Sequence, residues 1–224
     1  MVRKNRLPIF PDDYIKEKAE EYDSSKWMER NQKRTTSLSI QYLFDDRLNA
    51  KGIAEIKLGK SYLILDLGCG TGYSSEILIQ NGFKVIAIDI LYDMISKARE
   101  KKRISDNFKD LEFILSDINN LPIRVNSIDH IISISSYNFI INGLENYGEK
   151  VKLLSDTGQY LHKILKQHGR MVLEFYPKDD NELKMFNKSF IKNGFEGYLV
   201  KSNPHQKSGQ TFLLLRKNRN YGNL

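Results

Sequence analysis

The sequence predicts an α/β fold in which one open, mostly parallel sheet carries helices on both faces. Five apolar strand patterns alternate with segments of helical periodicity, and two more strand patterns follow as an antiparallel hairpin. Strands joined through helices run in parallel, since each crossover returns the chain to the same edge of the sheet. Polar side chains stand at the carboxyl ends of four strands, where such sheets bind ligands: Asp66, Asp89, Asp117 and Ser135.

The first strand runs into a glycine-rich turn. Apolar residues lead to Asp66, and Gly68, Gly70 and Gly72 follow at alternate positions before a helical pattern begins. Glycine permits the positive φ angles of such turns and lets the backbone approach a ligand closely. A dinucleotide-binding fingerprint needs a further glycine three positions after the second, where this chain has Tyr73. The turn is therefore a candidate ligand site, and a nicotinamide dinucleotide is disfavoured.

Two helical segments precede this turn, one from about residue 12 and one over residues 26–47. The turn itself leads into a crossover helix that is expected to end at Asn81-Gly82-Phe83, because glycine readily adopts the left-handed conformation of a helix C-terminus. The apolar face of the second leading helix consists of Trp27, Leu38, Tyr42 and Leu43.

The same alternation continues to the end of the chain. One helix begins near Tyr92, a long one runs from about Tyr147 to Gln167 with His168-Gly169 ending it, and a third is expected to have Asp180 as its N-cap. The remaining strand patterns cover residues 84–89, 111–115, 130–136, 170–175, about 195–201 and 211–215, and the last two flank the hydrophilic loop 203–210.

The composition is that of one globular domain with an excess of positive charge. The 224 residues contain no apolar run near the roughly 20 residues of a membrane span and begin without the apolar core of a signal peptide, which predicts a cytoplasmic protein. Lys and Arg number 35 against 28 acidic residues, a net charge of +7 that favours, without requiring, a phosphate-backbone partner. The single cysteine, Cys69, excludes an intrachain disulfide, and the four histidines lack metal-ligand spacing.

The glycine turn matches the signature hydrophobic-Asp-x-Gly-x-Gly-x-Gly, and on these residues the chain resembles class I S-adenosylmethionine-dependent methyltransferases. The resemblance implies a Rossmann-like fold with a seven-stranded, mostly parallel sheet and a C-terminal antiparallel hairpin. It also implies S-adenosylmethionine as cofactor, with the glycine loop around the methionine part and Asp66 near the ammonium group. We divide the single structural domain into residues 1–50, a helical segment covering the cofactor pocket, and residues 51–224, the methyltransferase domain.

Asp89 ends the second strand, where a carboxylate can accept hydrogen bonds from two ribose hydroxyls. The resemblance implies that Asp117 receives the adenine amino group and that Ile118 covers the ring. Arg34 is a candidate clamp for the cofactor carboxylate, with a plain surface arginine as the alternative. The candidate cofactor-binding residues are Asp66, Gly68, Cys69, Gly70, Gly72, Asp89, Ile90, Ser116, Asp117, Ile118, Ser135 and Arg34.

Segments outside the cofactor motifs resemble the small-subunit ribosomal RNA guanine-N7 methyltransferases of eukaryotes and their archaeal relatives. They are residues 132–139, 173–177 and 203–207, together with Tyr22, Gln32 and Arg34 in the leading helices. Eukaryotic members of that family continue into a long basic tail, whereas this sequence stops at Leu224, which favours the compact, archaeal-like form. The resemblance implies that the acceptor is small-subunit ribosomal RNA or the pre-ribosome.

The chemistry of guanine N7 agrees with this family, because its in-plane lone pair attacks a sulfonium methyl group without a general base. No His, Lys or Asp stands at the methyl-facing strand ends, so we expect none to act as a base. Tyr137, Phe139 and Tyr176 are candidate stacking surfaces for a splayed-out base, and Asn138 is a candidate reader of its edge. For Tyr137 and Phe139, an ordinary place in the core is the alternative.

The family resemblance also implies a partner, a small zinc-binding methyltransferase activator protein. In this topology Leu111–Leu115 is an edge strand, which makes it the predicted docking site by strand addition. Three functions remain open on the sequence. The first is guanine-N7 methylation of small-subunit ribosomal RNA, the second is methylation of a small molecule or a tRNA, and the third is a ribosome-assembly factor that binds the cofactor.

Overall fold

Seven strands form one sheet in the order β3-β2-β1-β4-β5-β7-β6. The computed structural model describes residues 9–49, 61–104, 108–202, 209–218 and 221. β1 to β5 pair in parallel, and β7 lies antiparallel between β5 and β6. The strands are β1 Leu63–Leu67, β2 Lys84–Asp89, β3 Leu111–Leu115, β4 Ile128–Ile134, β5 Leu165–Phe175, β6 Phe195–Lys201 and β7 Thr211–Lys217. The predicted fold class, including the C-terminal hairpin, is confirmed.

Helices cover both faces of the sheet. They are α1 Glu17–Ser24, α2 Lys26–Leu43, α3 Tyr73–Gln80, α4 Tyr92–Ile104, α5 Tyr147–Ile164 and α6 Asp180–Lys192. Apolar side chains of α2, α3 and α4 pack on one face, and those of α5, α6 and the short 3-10 helix Tyr137–Ile141 pack on the other. Successive residues of a strand point to opposite faces, so Ile64 of β1 lies in the first core and Leu65 in the second.

The two helices that were predicted to be longest end earlier than expected. α2 stops at Leu43 rather than Arg47, because Asp45 accepts a hydrogen bond from the Arg47 N–H at 2.9 Å and caps a separate 3-10 turn. α5 stops at Ile164 rather than Gln167, and β5 begins at the next residue instead of at Arg170. The backbone of residues 126 and 127 donates to the last carbonyls of α5, which ends the helix before His168-Gly169.

One predicted helix cap is confirmed, and another lies one residue earlier than expected. Gly82 ends α3 with a φ of 81°, and the Phe83 N–H donates to the Leu78 carbonyl, as the glycine C-cap predicts. The N-cap of α6 is Asp179 rather than Asp180, because the Asp179 carboxylate accepts from two backbone N–H groups of the first turn at 2.8 Å each. β3 lies at an edge of the sheet, as expected.

Some predictions fall on residues that the structure does not describe. These are the segment 203–207, which carried part of the resemblance, and the boundary between residues 50 and 51. Within the described ranges, no helix is both long and apolar enough to cross a membrane. In the same ranges, no three His, Cys, Asp or Glu side chains come together as metal ligands.

Candidate functional site

A cavity of about 360 Å³ opens at the carboxyl ends of the parallel strands. This is the edge where parallel α/β sheets bind ligands, and the volume lies within the usual range for a small-molecule site. Side chains from α1 and α2 line its other side, so the N-terminal helices cover it. The candidate cofactor-binding residues that line the cavity are Gly68, Gly70, Asp89, Ile90, Asp117, Ile118 and Ser135.

The glycine loop is held against the ends of two neighbouring strands. The backbone N–H groups of Gly68 and Cys69 both donate to the Ile88 carbonyl, at 2.8 and 2.9 Å. Gly68 has a φ of 69°, and a Cβ at this position would lie 2.2 Å from the Ser136 Oγ. Only glycine fits this approach, because any side chain would collide with Ser136 and strain the backbone. The loop is thereby kept close to the cavity.

The carboxylate of Asp89, the last residue of β2, holds the same loop by hydrogen bonds. One oxygen accepts a hydrogen bond from the Gly70 N–H at 2.9 Å, and the other accepts from the Leu91 N–H at 2.9 Å. Burial raises the pKa of this carboxyl group. A carboxylate has about four acceptor positions, so Asp89 can accept a further hydrogen bond from a ligand in the cavity.

Asp66 lies behind the glycine loop, 1% exposed, and does not itself line the cavity. Its Oδ2 accepts hydrogen bonds from the hydroxyls of Ser74 and Ser75, each at 2.6 Å, while its Oδ1 is buried without a hydrogen-bond partner among the described residues. Burial raises the pKa of the carboxyl group to about 6. An unpartnered carboxylate oxygen is costly in such a place, and a cationic donor is the chemistry that would satisfy it.

Four further candidates for cofactor binding do not line the cavity. Cys69 is buried, and burial raises the pKa of its thiol well above the usual value. Gly72 faces α4, since a Cβ there would lie 3.1 Å from the Ala98 Cβ. The Ser116 hydroxyl donates to the Asn120 carbonyl at 2.9 Å, and Arg34 is exposed on α2. The structure therefore does not bring the Arg34 guanidinium to the cavity, because it lies on the outer face of its helix.

One side of the cavity is aromatic. Two of the residues predicted to stack on an acceptor base, Phe139 and Tyr176, line it together with Phe10 and Tyr14 from the N-terminal segment. The Phe10 ring stacks on Phe139 with 5.1 Å between centroids and 20° between planes, and Tyr14 meets the edge of Phe139 at 5.7 Å. One face of the Phe139 ring is therefore covered by Phe10, and the two rings together form part of the cavity wall.

Tyr137 does not belong to this surface. Its side chain is 0% exposed and packs against Phe186 and Phe190 of α6, at ring-centroid distances of 5.8 and 5.5 Å. The prediction of a stacking surface is wrong for Tyr137, because the 3-10 helix turns this residue into the core. Asn138 does not line the cavity either, and its Oδ1 is buried without a hydrogen-bond partner in the described part of the chain.

Replacing Tyr137 by phenylalanine is expected to leave methyl transfer unchanged and to raise the free energy of unfolding by about 1 kcal/mol, since the buried Tyr137 hydroxyl makes no hydrogen bond in the described structure. Urea denaturation and the initial rate of methyl transfer measure the two effects. A loss of rate of about tenfold or more, as expected for a group that positions the acceptor, would instead indicate that Tyr137 acts in the acceptor site.

Several cavity residues were not predicted from the sequence. Tyr14, Trp27, Met28, Asn31 and Asn119 all line it, and Trp27 is 66% exposed although it was assigned to an apolar helix face. Glu174 was missed as well. It is a buried carboxylate next to the cavity, 0% exposed, inside the otherwise apolar end of β5. An acidic residue within an apolar parallel strand was the signal that could have revealed it.

Comparison with known proteins relates this geometry to a family. The family described as "Methyltransferase domain" matches residues 58–212. The 18S rRNA (guanine(1575)-N(7))-methyltransferase of Saccharomyces cerevisiae is 30% identical over 177 residues, which cover 78% of this chain and 62% of the yeast protein. Across six curated 18S rRNA guanine-N7 methyltransferases, this chain spans 52 to 62% of the relative's own length.

Two solved structures share the fold. Magnesium protoporphyrin IX methyltransferase from Synechocystis PCC 6803, with bound S-adenosylmethionine, has a TM-score of 0.58 at 18% identity, covering 89% of this chain and 95% of that chain. A chain from the complex between the Haloferax volcanii Trm112 methyltransferase activator and a methyltransferase has a TM-score of 0.60 at 14% identity, covering 91% and 98%. At these sequence identities, the similarity to the two structures establishes the fold of this chain.

Proposed function

The chain belongs to the methyltransferase-domain family, and from this premise we propose that it transfers a methyl group from S-adenosylmethionine to N7 of a guanine in small-subunit ribosomal RNA. The observation that carries the choice of acceptor is the similarity to 18S rRNA guanine-N7 methyltransferases over most of this chain. The cytoplasmic location predicted from the sequence is part of the same proposal.

The residues around the cavity fit the proposed cofactor. The glycine loop leaves room for a ligand at Gly70, where a Cβ would meet no protein atom within 4 Å. The Asp89 carboxylate lines the cavity and is the proposed acceptor of the ribose hydroxyls. The Asp66 carboxylate lies behind the loop, from where its charge can attract the ammonium group. Ile90, 48% exposed, and Ile118 supply apolar cavity wall for the adenine ring.

The residues on the proposed acceptor side fit a nucleobase that has to be aligned with the methyl group but does not have to be deprotonated. S-adenosylmethionine supplies an electrophilic methyl group on its sulfonium. Guanine N7 brings its own lone pair, so the protein has to hold the base in line and exclude water. Phe139 and Tyr176 offer the aromatic surface for this, and the carboxylates that line the cavity, Asp89 and Asp117, belong to the proposed cofactor side.

The proposal includes an activator protein that docks on the Leu111–Leu115 edge strand. β3 has an unpaired edge, and its last residue, Leu115, is 51% exposed. A strand of the partner could pair with this edge and cover Leu115 and the neighbouring Tyr92 of α4, which is 68% exposed. The structure of the Trm112 complex is of a methyltransferase with this fold, which supports the same kind of partner here.

The test is the identity of the methylated nucleoside. Small ribosomal subunits that lack the mark are incubated with the protein and methyl-labelled S-adenosylmethionine, with and without a zinc-binding activator, and the RNA is digested to nucleosides. Label in 7-methylguanosine is the expected result. The net charge of +7 further predicts that the rate falls steeply with added salt, since phosphate contacts release counterions.

Two outcomes contradict the proposal. Label that appears only in another nucleoside would exclude guanine N7, and label transferred to a small molecule but never to RNA would favour the small-molecule alternative. The Asp89→Ala variant serves as the control for cofactor-dependent transfer, because it removes the proposed ribose acceptor.

A further inference from the structure

Glu174, the next-to-last residue of β5, is a buried carboxylate behind the cavity wall. Its Oε2 accepts a hydrogen bond from the Ser135 hydroxyl at 2.6 Å, and its Oε1 accepts from the Gln210 side-chain amide at 3.2 Å. Burial and the charge of the nearby Glu174 carboxylate raise the pKa of the Tyr176 hydroxyl. Burial raises the pKa of the Glu174 carboxyl group. A carboxylate in an apolar strand is tolerated only with hydrogen-bond donors, and one of the two donors here, Ser135, lines the cavity.

Glu174 also fixes the backbone of Ser135. Ser135 directly follows β4 and adopts a left-handed conformation with a φ of 55°. A residue other than glycine persists in that conformation only where its surroundings hold it. Here the Ser135 N–H donates to the Glu174 carbonyl at 3.0 Å, while the Ser135 hydroxyl donates to the Glu174 carboxylate. Both the main chain and the side chain of Ser135 are therefore bound to one residue.

The turn at Ser135 sets the place of Ser136 against the glycine loop. The Ser136 hydroxyl donates to the Leu67 carbonyl at 2.7 Å, at the point where a Cβ on Gly68 would collide with it. Ser135, Ser136 and Gly68 all line the cavity. The contacts from Glu174 therefore reach, through two serines, the loop proposed to bind the cofactor.

A second branch of the network leads to the helical cover. The Gln210 amide that donates to Glu174 also donates to the Thr35 hydroxyl of α2, at 2.7 Å. One turn earlier, α2 contributes Asn31 and Gln32 to the cavity. One carboxylate thus joins the end of β4, the end of β5 and the helix that closes the cavity.

We propose that Glu174 is a positioning residue for methyl transfer, which holds the Ser135 hydroxyl and the Ser135–Ser136 turn against the glycine loop in the arrangement in which donor and acceptor meet. The inference rests on the proposed methyltransferase function. Glu174 does not line the cavity, so it acts through these neighbours. In-line transfer is sensitive to displacements of about 1 Å, so releasing them is expected to slow the reaction more than it weakens binding.

The test is the Glu174→Gln variant in the full-length chain, with its activator where the wild type needs one. Glutamine keeps the shape but replaces one acceptor oxygen by a donor, so either the Ser135 hydroxyl or the Gln210 amide loses its acceptor. We expect kcat for RNA methylation to fall by at least about tenfold, with KM for RNA and the dissociation constant of S-adenosylmethionine within about threefold of wild type. Glu196→Gln, the same change at a carboxylate paired with Arg216 on the hairpin, is the matched control and is expected to behave as wild type.

A double-mutant cycle separates positioning from general loss of structure. If Glu174 acts through Ser135, adding Glu174→Gln to Ser135→Ala lowers kcat less than it does in the wild-type background. Fully additive effects, or a Glu174→Gln variant with the kcat of the Glu196→Gln control, would overturn the inference.

Crystal structures of wild type and Glu174→Gln test whether Glu174 holds the Ser135–Ser136 turn, even if no activity can be measured. The expected result is that Ser135 leaves its left-handed conformation and Ser136 loses its hydrogen bond to the Leu67 carbonyl. An unchanged turn would contradict the role of Glu174. A wild-type protein that forms no 7-methylguanosine would instead contradict the proposed function, so the two failures are distinguishable.

Discussion

Replacing Asp89 by alanine is expected to raise the dissociation constant of S-adenosylmethionine by about 100-fold or more. The substitution removes the acceptor of the Gly70 and Leu91 N–H groups, each bonded at 2.9 Å, and the proposed acceptor of two ribose hydroxyls. A hydrogen bond to a charged group contributes about 1.5 to 3 kcal/mol, and about 1.4 kcal/mol corresponds to a factor of ten in binding. Two lost bonds to the ligand therefore suffice for the expected change, which isothermal titration calorimetry measures.

A carboxylate at the opposite edge of the sheet provides the control. Asp129 accepts from the Leu63 N–H at 2.9 Å and from the Lys166 ammonium at 2.8 Å, beside the amino ends of the strands. Asp129→Asn is expected to leave cofactor affinity within about threefold of wild type, because distant sites act independently. If Asp89→Ala bound the cofactor as tightly as Asp129→Asn, the ribose would have to lie elsewhere.

The sheet could be predicted from the sequence because its strands carry strong local signals. β1 and β2 are short apolar runs with an acidic residue, Asp66 or Asp89, at or next to their carboxyl end. Gly68 follows β1 where the chain leaves the sheet, and Gly82 precedes β2 where the chain leaves α3. Parallel pairing then brings the ends of these strands together, so Asp89 and Gly70 meet at 2.9 Å although they lie 19 residues apart. The proposed cofactor side of the cavity follows from that rule.

The proposed acceptor side depends on long-range contacts that no local pattern encodes. Tyr137 and Phe139 are two residues apart in one 3-10 helix, yet the first is buried against α6 and the second faces the cavity and Phe10. Composition cannot distinguish them, because the direction of each side chain is set by how the turn docks on α5 and α6. Glu174 was missed for a similar reason, since its donors are Ser135, directly after β4, and Gln210, at the end of the hairpin loop.

Three glycines with positive φ, Gly82, Gly70 and Gly68, allow the cost of backbone strain to be measured apart from two further effects. These effects are loss of ligand space at Gly70 and collision with Ser136 at Gly68. Gly82 and Gly70 each have open space at the position of a Cβ, but Gly70 lines the cavity and Gly82 does not. An alanine at either should destabilise the protein by about 1 to 2 kcal/mol, which is the cost of a left-handed conformation. Only Gly70→Ala is expected to weaken cofactor binding as well, because its methyl group would enter the ligand site.

Gly68→Ala is expected to be the most damaging of the three. Besides the strain at a φ of 69°, its Cβ would lie 2.2 Å from the Ser136 Oγ, so Ser136 would have to abandon its bond to the Leu67 carbonyl. Overpacking of this kind costs about 1 to 3 kcal/mol, for a total loss of about 2 to 5 kcal/mol. Urea unfolding of the three variants measures the order. If Gly68→Ala were as stable as Gly82→Ala, Ser136 would be able to move away from the added methyl group at no cost. The loop would then not be the rigid support proposed for methyl transfer.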